Sequence, residues 1–347
     1  MAEIDRFRPE DRRGVDTLFR RTHGPDAAEA QALRWDWLHR RNPFNPGCQP
    51  RLWVAREGPT VVGHFPTLPV RLSLRGMNVD ATWGSEAYVT PERESLALDE
   101  ALIRNWDRNT GAALTLGVQP ATRAVYDRLH WPASTALPCL VKPLTRRALR
   151  LPSVPLLVNQ LISAITLPVI RIVARKRPLR AECEPIRRFD ASFTALWDRL
   201  APQFDLAVRR DAAYLNWRYI EPPHVRYAVV ALKREGEVHG YAVYRHLHEP
   251  LGKVTLLVDL LVAPNDVSGL KTLLRWVDRE ARAEDTDKVR CFMMHAGFRK
   301  VLKRNGYFQV KSGIDVAVKV NAVEVPSGFY EQTDGWHITF GDSDQDH

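Results

Sequence analysis

The strongest constraint on this chain is that it is written twice. Residues 33–58 read LRWDWLHRRNPFNPGCQPRLWVAREG and residues 215–236 read LNWRYIEPPHVRYAVVALKREG. Each carries a tryptophan-rich cluster at helical spacing, a proline-containing break, an apolar run and a charged turn closing on glycine, Gly58 or Gly236. Each then opens a second apolar run with a glycine near its start, Gly63 in VVGHF and Gly240 in VHGYAVY. Two apolar runs joined by a short glycine-containing turn predict a hairpin in each half.

The parallel continues downstream. SEAYVTPERESLALDEALIRNW answers to VDLLVAPNDVSGLKTLLRWV, and each starts with an apolar strand bearing one acid, Glu86 or Asp259, five residues before a proline, Pro91 or Pro264. Leu98, Leu102, Ile103 and Trp106 in one half, and Leu270, Leu273, Leu274 and Val277 in the other, recur at three- and four-residue steps and predict an amphipathic helix after each strand. A further apolar strand follows, ALTLGV or VRCFMM, then a helix ending on an aromatic, ATRAVYDRLHW up to Trp131 or FRKVLKRNGYF up to Phe308. Strands and helices in this order predict an α+β chain, with a mixed sheet and helices on both faces in each half.

Length and charge fit two such halves. At 347 residues the chain exceeds what one core serves, and a hydrophobic share of 45% supplies the burial that disordered chains lack. Cys48, Cys139, Cys183 and Cys291 lie far apart with no CxxC pair, which excludes a disulfide framework and a zinc knuckle. The net charge of +9 first suggests a nucleic-acid binder, but its location changes that reading. Eleven basic residues between Lys142 and Arg188 face only Glu182 and Glu184, which accounts for the whole excess and leaves the rest neutral. The expected organisation is an N-terminal domain over 1–145, a basic amphipathic connector over 146–184, a C-terminal domain over 185–325 and an acidic tail over 326–347.

The charged start, MAEIDRFR, holds no apolar leader, so a cytoplasmic location is expected. Residues 151–170, LPSVPLLVNQLISAITLPVI, are long and uncharged enough to resemble a span, but Pro152, Pro155 and Pro168 oppose one. The segment reads as interdomain packing or as an interfacial helix, whose basic end (Arg171, Arg175, Lys176 and Arg177) would bring 151–177 to anionic lipid.

The element order, the acid-bearing strand ending in V-x-P and the closing helix of form Y-x-x-L-x-(F/W) resemble the GNAT superfamily of acyl-CoA N-acyltransferases. The resemblance covers about residues 3–145 and again 185–320. YLNWRY (Tyr214 to Tyr219) and the pattern of Trp336, Gly341, Asp342 and Asp344 are similar to tandem members encoded beside bacterial exopolysaccharide genes, and the Fem-type aminoacyl transferases share the duplicated plan. The resemblance implies acetyl-CoA or another acyl-CoA as cosubstrate, an amine acceptor, and no metal. It implies Glu86 as general base and Tyr126 as the acid that protonates the leaving thiolate. Val89, Arg93, Ser95, Leu96, Ala97, Leu98 and Gln119 take the cosubstrate-binding positions, and Trp37, Trp217 and Tyr219 stand on the acceptor side, where aromatic rings suit a sugar. Asp259 has no such acid partner, because Leu302 occupies the tyrosine position of the second copy.

One stretch departs from the family. Where members carry P-E-x-R-G-x-G-x-G, this chain reads Pro91-Glu92-Arg93-Glu94-Ser95-Leu96-Ala97-Leu98-Asp99. The glycines that let backbone approach a pyrophosphate are gone, and Glu94 puts a carboxylate where an arginine is expected, with Arg93 or Arg104 as candidate compensators. His246 and His248 read as a polar hairpin edge, and Asp342, Asp344 and Asp346 as a solvated tail. Three functions stay open: an N-acyltransferase acting on an amino sugar or cell-envelope precursor, a degenerate pair serving as a binding module at the membrane surface, or a Fem-like transferase whose basic segment meets tRNA. Only the last calls for nucleic acid.

Overall fold

In a computed structural model, the described residues are 2–85, 87–90, 96–118, 120–149, 182–250 and 252–343. Residues 150–181, which are most of the basic connector and include the apolar stretch at 151–170, lie outside them. Among the described residues no helix is long and apolar enough to cross a membrane.

The first half runs β1 (Glu3–Arg6), α1 (Arg12–His23), α2 (Pro25–His39), β2 (Trp53–Glu57), β3 (Thr60–Phe65), β4 (Thr67–Leu74), β5 (Met77–Gly84), β6 (Tyr88–Val89), α3 (Leu96–Arg108), β7 (Ala112–Leu116), α4 (Pro120–Arg128), β8 (Thr135–Ala136) and β9 (Cys139–Pro143). The second runs β10 (Glu182–Pro185), a helix Ala191–Leu200, β11 (Leu206–Val208), a helix Ala212–Tyr219, β12 (Ala228–Arg234), β13 (Glu237–Glu249), β14 (Gly252–Val262), a helix Val267–Ala283, β15 (Lys288–Phe292), a helix Ala296–Arg304, β16 (Phe308–Val310), β17 (Asp315–Val320) and β18 (Trp336–His337). The α+β class with a mixed sheet in each half is as expected.

The chain forms two compact units, and each draws on both halves. The first takes Met1–Ala136, Ala213–Val225 and Gly313–Gln332; the second takes Leu137–Ala212, Arg226–Ser312 and Thr333–His347. In the first unit β1, β2, β3 and β6 make one sheet, while β4, β5, β7, β17 and β8 follow one another in another. β17 thus pairs antiparallel with β7 and β8, although it comes from the end of the chain. In the second unit the order is β10-β12-β13-β14-β15-β9-β16, so β9 of the first half lies between two strands of the second. Each half lends a strand to the other's sheet. Every residue of β7 is buried, so its two edges must both be paired, and an apolar strand is needed from somewhere.

The lent strand β9 also overturns one charge assignment. Lys142, counted with the basic middle, is 1% exposed, and its Nζ meets the Asp278 carboxylate inside the second unit. Burial raises the Asp278 pKa, with the Lys142 ammonium opposing it. A buried charge persists only with such a partner.

The repeat extends to hydrogen bonds. At the end of α2 the N–H groups of Arg40 and Arg41 both bond to the Asp36 carbonyl; at the end of Ala212–Tyr219 those of Ile220 and Glu221 both bond to that of Asn216. Trp37 and Trp217 therefore occupy the same place, one residue after the shared carbonyl. Both hairpins carry a bulge at one position, between Ala55 and Arg56 and between Leu232 and Lys233, with Gly63 and Gly240 opposite the residue before it. On one face of the first unit's sheets, Val62, Phe65, Leu102, Ile103, Trp106, Val125, Tyr126 and Trp131 form the core under α3 and α4. A smaller cluster of Val15, Leu18, Leu52, Val54 and Val61, with Phe7 and Trp35, forms a second core.

Candidate active site

In each unit the strand that follows the long hairpin accompanies a parallel neighbour and then leaves it. In the first, β5 lies beside β7 from Ala81↔Ala112 to Gly84↔Thr115, after which β6 pairs among the described residues with β3, through Gly63↔Val89 and His64↔Tyr88. In the second, β14 lies beside β15 from Val254↔Lys288 to Leu257↔Cys291, then continues against β13 through Gly240↔Val262 and Tyr241↔Leu261. Two strands that part while both continue leave a fork between them.

Local causes open each fork. In the second unit a register shift between Val243 and Tyr244 turns β14 away at Val258. In the first, Gly84 brings the strand onto Trp106 and Phe65 so closely that a Cβ would stand 2.6 and 2.8 Å from their rings. The registers equate Gly84 with Leu257, His64 with Tyr241, Val89 with Val262, Thr115 with Cys291 and Val118 with Met294. By count, Glu86 then matches Asp259, as the sequence suggested; Glu86 itself lies outside the described residues.

The second fork is filled by the chain's own end. Met293 bridges to Thr339, and the Met294 N–H donates to the Ile338 carbonyl at 3.0 Å on the β15 side. On the β14 side the Thr339 hydroxyl donates to Asp259 at 3.2 Å. Arg210, with no exposed surface, joins Asp259 at 3.2 Å to Asp342 at 2.7 Å, and the Tyr241 hydroxyl donates to Asp259 at 2.8 Å. Asp342 is therefore not part of a solvated tail: it is fully buried because Arg210 needs a second carboxylate. Asp344 and Asp346 lie outside the described residues. Burial, then the neighbouring Asp259, raises the Asp342 pKa against the pull of Arg210. The start of the following helix is also occupied, since Asp266 accepts from the Gly269 N–H and pairs with Arg234. A pyrophosphate would find a carboxylate already in its place.

The first fork keeps its polar groups unanswered. Among the described residues no segment pairs with Val118 in the place that Ile338 takes beside Met294. Thr115 Oγ1, Trp83 Nε1 and both ring nitrogens of His64 are buried without a hydrogen-bond partner among the described residues. Burial, reinforced by the nearby His23, pushes the His64 pKa down to about 3 and keeps the ring neutral. Sequence reasoning missed His64, although aligning the repeat sets it against Tyr241. Thr115 and Trp83 carried no signal beyond their strands.

Of the expected site residues, Val89, Leu98 and Tyr126 come together in the core under α3 and α4, where Tyr126 is 4% exposed and its ring centroid is 4.6 Å from that of Trp131. Ala97 is exposed at the start of α3. Arg93, Ser95, Gln119 and the Leu96 side chain lie outside the described residues. Arg104 and Arg128 both pair with Glu100, so Arg104 already has a carboxylate of its own. His130, where the resemblance expects glycine, holds φ 54° and ends α4 as Gly306 (φ 86°) ends its counterpart. A non-glycine residue there is uncommon and strained.

The acceptor-side aromatics have no ring face to offer. Trp37 and Trp217 stack at 4.9 Å and 17°, and each indole N–H donates to the other's carbonyl, at 2.6 and 2.8 Å. They are 0% and 2% exposed, and Tyr219 is 2% exposed. Their geometry is that of a clasp between two helices of the first unit. His246 bonds to Thr255 across the β13–β14 ladder at 2.9 Å, and no group of three or more His, Cys, Asp or Glu suited to a metal occurs among the described residues.

No family model matches the sequence, and no curated protein matches it. Solved structures do. A GCN5-related N-acetyltransferase from Anabaena variabilis superposes with a TM-score of 0.62 at 10% identity, over 92% of this chain and 73% of the other. A conserved Enterococcus faecalis protein described as a probable N-acyltransferase gives 0.61 at 8%, over 93% and 73%. Saccharomyces cerevisiae N-myristoyltransferase with bound myristoyl-CoA gives 0.55 at 14%, over 91% and 82%. The chain carries, in two copies, the fold of GNAT-type acyltransferases.

Proposed function

We propose that the protein moves an acyl group from acyl-CoA to an amine, and that the reaction belongs to the fork of the first unit. One observation carries this reading: of two equivalent forks, the second is crossed by Trp336–Asp342 and holds the ion cluster around Arg210, while among the described residues no segment crosses the first, where Thr115, Trp83 and His64 keep buried polar atoms without a partner. Buried polar groups without partners cost about 1–3 kcal/mol each, and a bound cosubstrate or acceptor would offset that.

In this reading an amine arrives as an ammonium and must lose a proton before it attacks the thioester carbonyl. Glu86 takes that proton, directly or through water. The carbon–nitrogen bond forms, the carbon–sulfur bond breaks, Tyr126 protonates the departing thiolate, and the second proton shed by the acylated nitrogen returns to Tyr126 through solvent. Val89 and Leu98 line the acyl arm, with Arg93, Ser95, Leu96, Ala97 and Gln119 assigned to the cosubstrate by resemblance alone. An amino sugar or envelope precursor is the proposed acceptor class. Glu94 and the missing glycines favour a second reading, in which the pair binds without catalysis.

Calorimetric titration with acetyl-CoA separates the two. Micromolar binding by the wild type supports the enzyme; binding only after Glu94→Arg supports the module. With acetyl-CoA and glucosamine as probes, Tyr126→Phe should lower thiol release about 100-fold while leaving acetyl-CoA affinity within a few-fold, since the role belongs to the transition state. Unchanged turnover would remove Tyr126 from the mechanism.

A further inference from the structure

The first unit holds a cavity of about 730 Å³ that the fork does not use. It lies against Trp106, Asn109 and Thr110 at the end of α3, about 20 Å along the helix from its start at Leu96. Trp106 stands between the cavity and the fork. Its indole N–H donates to Thr82 at 2.6 Å, and Thr82 bonds to Thr110 at 3.1 Å, both in the cavity wall. Another edge of the same indole lies, with Phe65, so close to Gly84 that no Cβ would fit there. On that side the cavity is shut off from the fork, so its occupant is not the amine acceptor.

A loop that is longer in the first copy builds one wall. Thirteen residues, 40–52, lie between α2 and β2, whereas eight, 220–227, join the equivalent helix to β12. The longer loop is pinned by buried polar side chains. Asn45 donates to the carbonyls of His39 and Gln49 at 2.7 and 2.8 Å, Asn42 to that of Pro69 at 2.9 Å, and the Thr67 hydroxyl to that of Arg51. A wall held in this way presents Gln49 and Arg51 from a fixed backbone, which lowers the ordering cost of binding.

The lining combines free positive charge with neutral polar groups. Arg6 and Arg51 are exposed and have no carboxylate partner among the described residues; Arg6 lies instead over the Trp53 ring at 5.7 Å. Asp80 is also in the wall, but Arg71 already holds its carboxylate at 2.9 and 3.1 Å. Gln49, Asn78 and Asn109 add amides and Thr110 a hydroxyl, groups that both donate and accept. The end of α3 carries the negative end of the helix dipole, which favours hydroxyl donors over a second anion.

We propose that this cavity binds a phosphorylated sugar, with the phosphate on Arg6 and Arg51, the hydroxyls on the amides and the end of α3, and the ring against Trp53. Guanidinium groups match phosphate oxygens in pairs. The volume falls within the roughly 300–1,000 Å³ of small-molecule sites. The site stands whether or not the fork transfers acyl groups, because none of its lining belongs to the residues assigned to that reaction.

Calorimetric titration of the full-length protein tests it. Glucose 6-phosphate should bind at least about 10-fold more tightly than glucose, inorganic phosphate or AMP, since only it engages both kinds of lining. Arg6→Gln combined with Arg51→Gln should weaken it about 10- to 100-fold, while Arg13→Gln, at an exposed arginine of α1 outside the lining, should leave it within about 2-fold. Asn78→Trp fills the cavity without altering its charge and should abolish binding. Acetyl-CoA affinity should be the same in all these variants. Absence of glucose 6-phosphate binding at millimolar concentration overturns the proposal. Equal binding after the double substitution or in Asn78→Trp does the same, since surface charge alone would then account for it. Inorganic phosphate or AMP binding as tightly as the sugar phosphate overturns the ligand class, and loss of acetyl-CoA binding with the two arginines would give the cavity to the cosubstrate instead.

Discussion

The two forks share strand order, bulge and register, yet they resolve the same problem differently. Past Leu257↔Cys291 the second unit lays Ile338 and Thr339 along one edge and gathers Asp259, Asp342, Tyr241 and Thr339 around Arg210. Past Gly84↔Thr115 the first unit leaves Thr115, Trp83 and His64 without partners among the described residues. One copy lays its own chain across the fork and ties its buried carboxylates to Arg210, although both ring nitrogens of His337 in that segment have no partner among the described residues. The other leaves its buried polar groups for something else, which is what a binding cleft requires.

The sharpest way to break the comparison is to remove the centre of the closed fork. Arg210→Met leaves two buried carboxylates facing each other without a cation, and should destabilise the second unit by about 3–5 kcal/mol in chemical denaturation. A loss below about 1 kcal/mol would mean that the cluster is solvated. Next come the paired glycines. A Cβ at Gly240 would stand 2.4 Å from Val262 and 2.5 Å from the Leu261 carbonyl, whereas at Gly63 the nearest atoms are 3.4 Å away. Gly240→Ala should therefore cost about 1–3 kcal/mol, and Gly63→Ala should be neutral or slightly stabilising, because alanine suits a strand interior better. Equal costs would contradict the tighter packing of the second fork.

The smallest effect is one of pH. The Asp342 carboxyl is pushed up from the usual 3.8 to about 6, first by burial and then by Asp259 against the pull of Arg210. The folded state then holds a proton that the unfolded state has lost, so this contribution to stability is present below about pH 4 and fades as pH rises through about 6. Asp342→Asn cannot titrate. Its stability relative to wild type should rise across that interval in denaturation curves, and a constant difference would show that Asp342 is ionised throughout.

The repeat made much of the fold legible, since hairpin glycines, helix spacing and the Glu86 and Asp259 positions could be read in parallel. The lent strands could not: nothing in the sequence of β9 or β17 says that its partners lie in the other half of the chain. For the same reason Lys142 read as a surface charge, though pairing between β15 and β16 carries it inside to Asp278. Aromatic residues mislead in a related way. Trp37 and Trp217 looked available for a sugar, but a planar ring that suits a ligand suits another indole equally well, and reciprocal N–H bonds use up their polar ends. Asp342 read as tail because its partner Arg210 is 132 residues away.

Amide hydrogen exchange with and without acetyl-CoA tests the central claim most directly, because it reports on both forks in one experiment. Protection should appear at residues 87–90 and 117–120, with 258–262 and 293–295 unchanged at their already high protection. Protection confined to the second pair of segments, or equal in both, would contradict the assignment of the first unit as the site of acyl transfer.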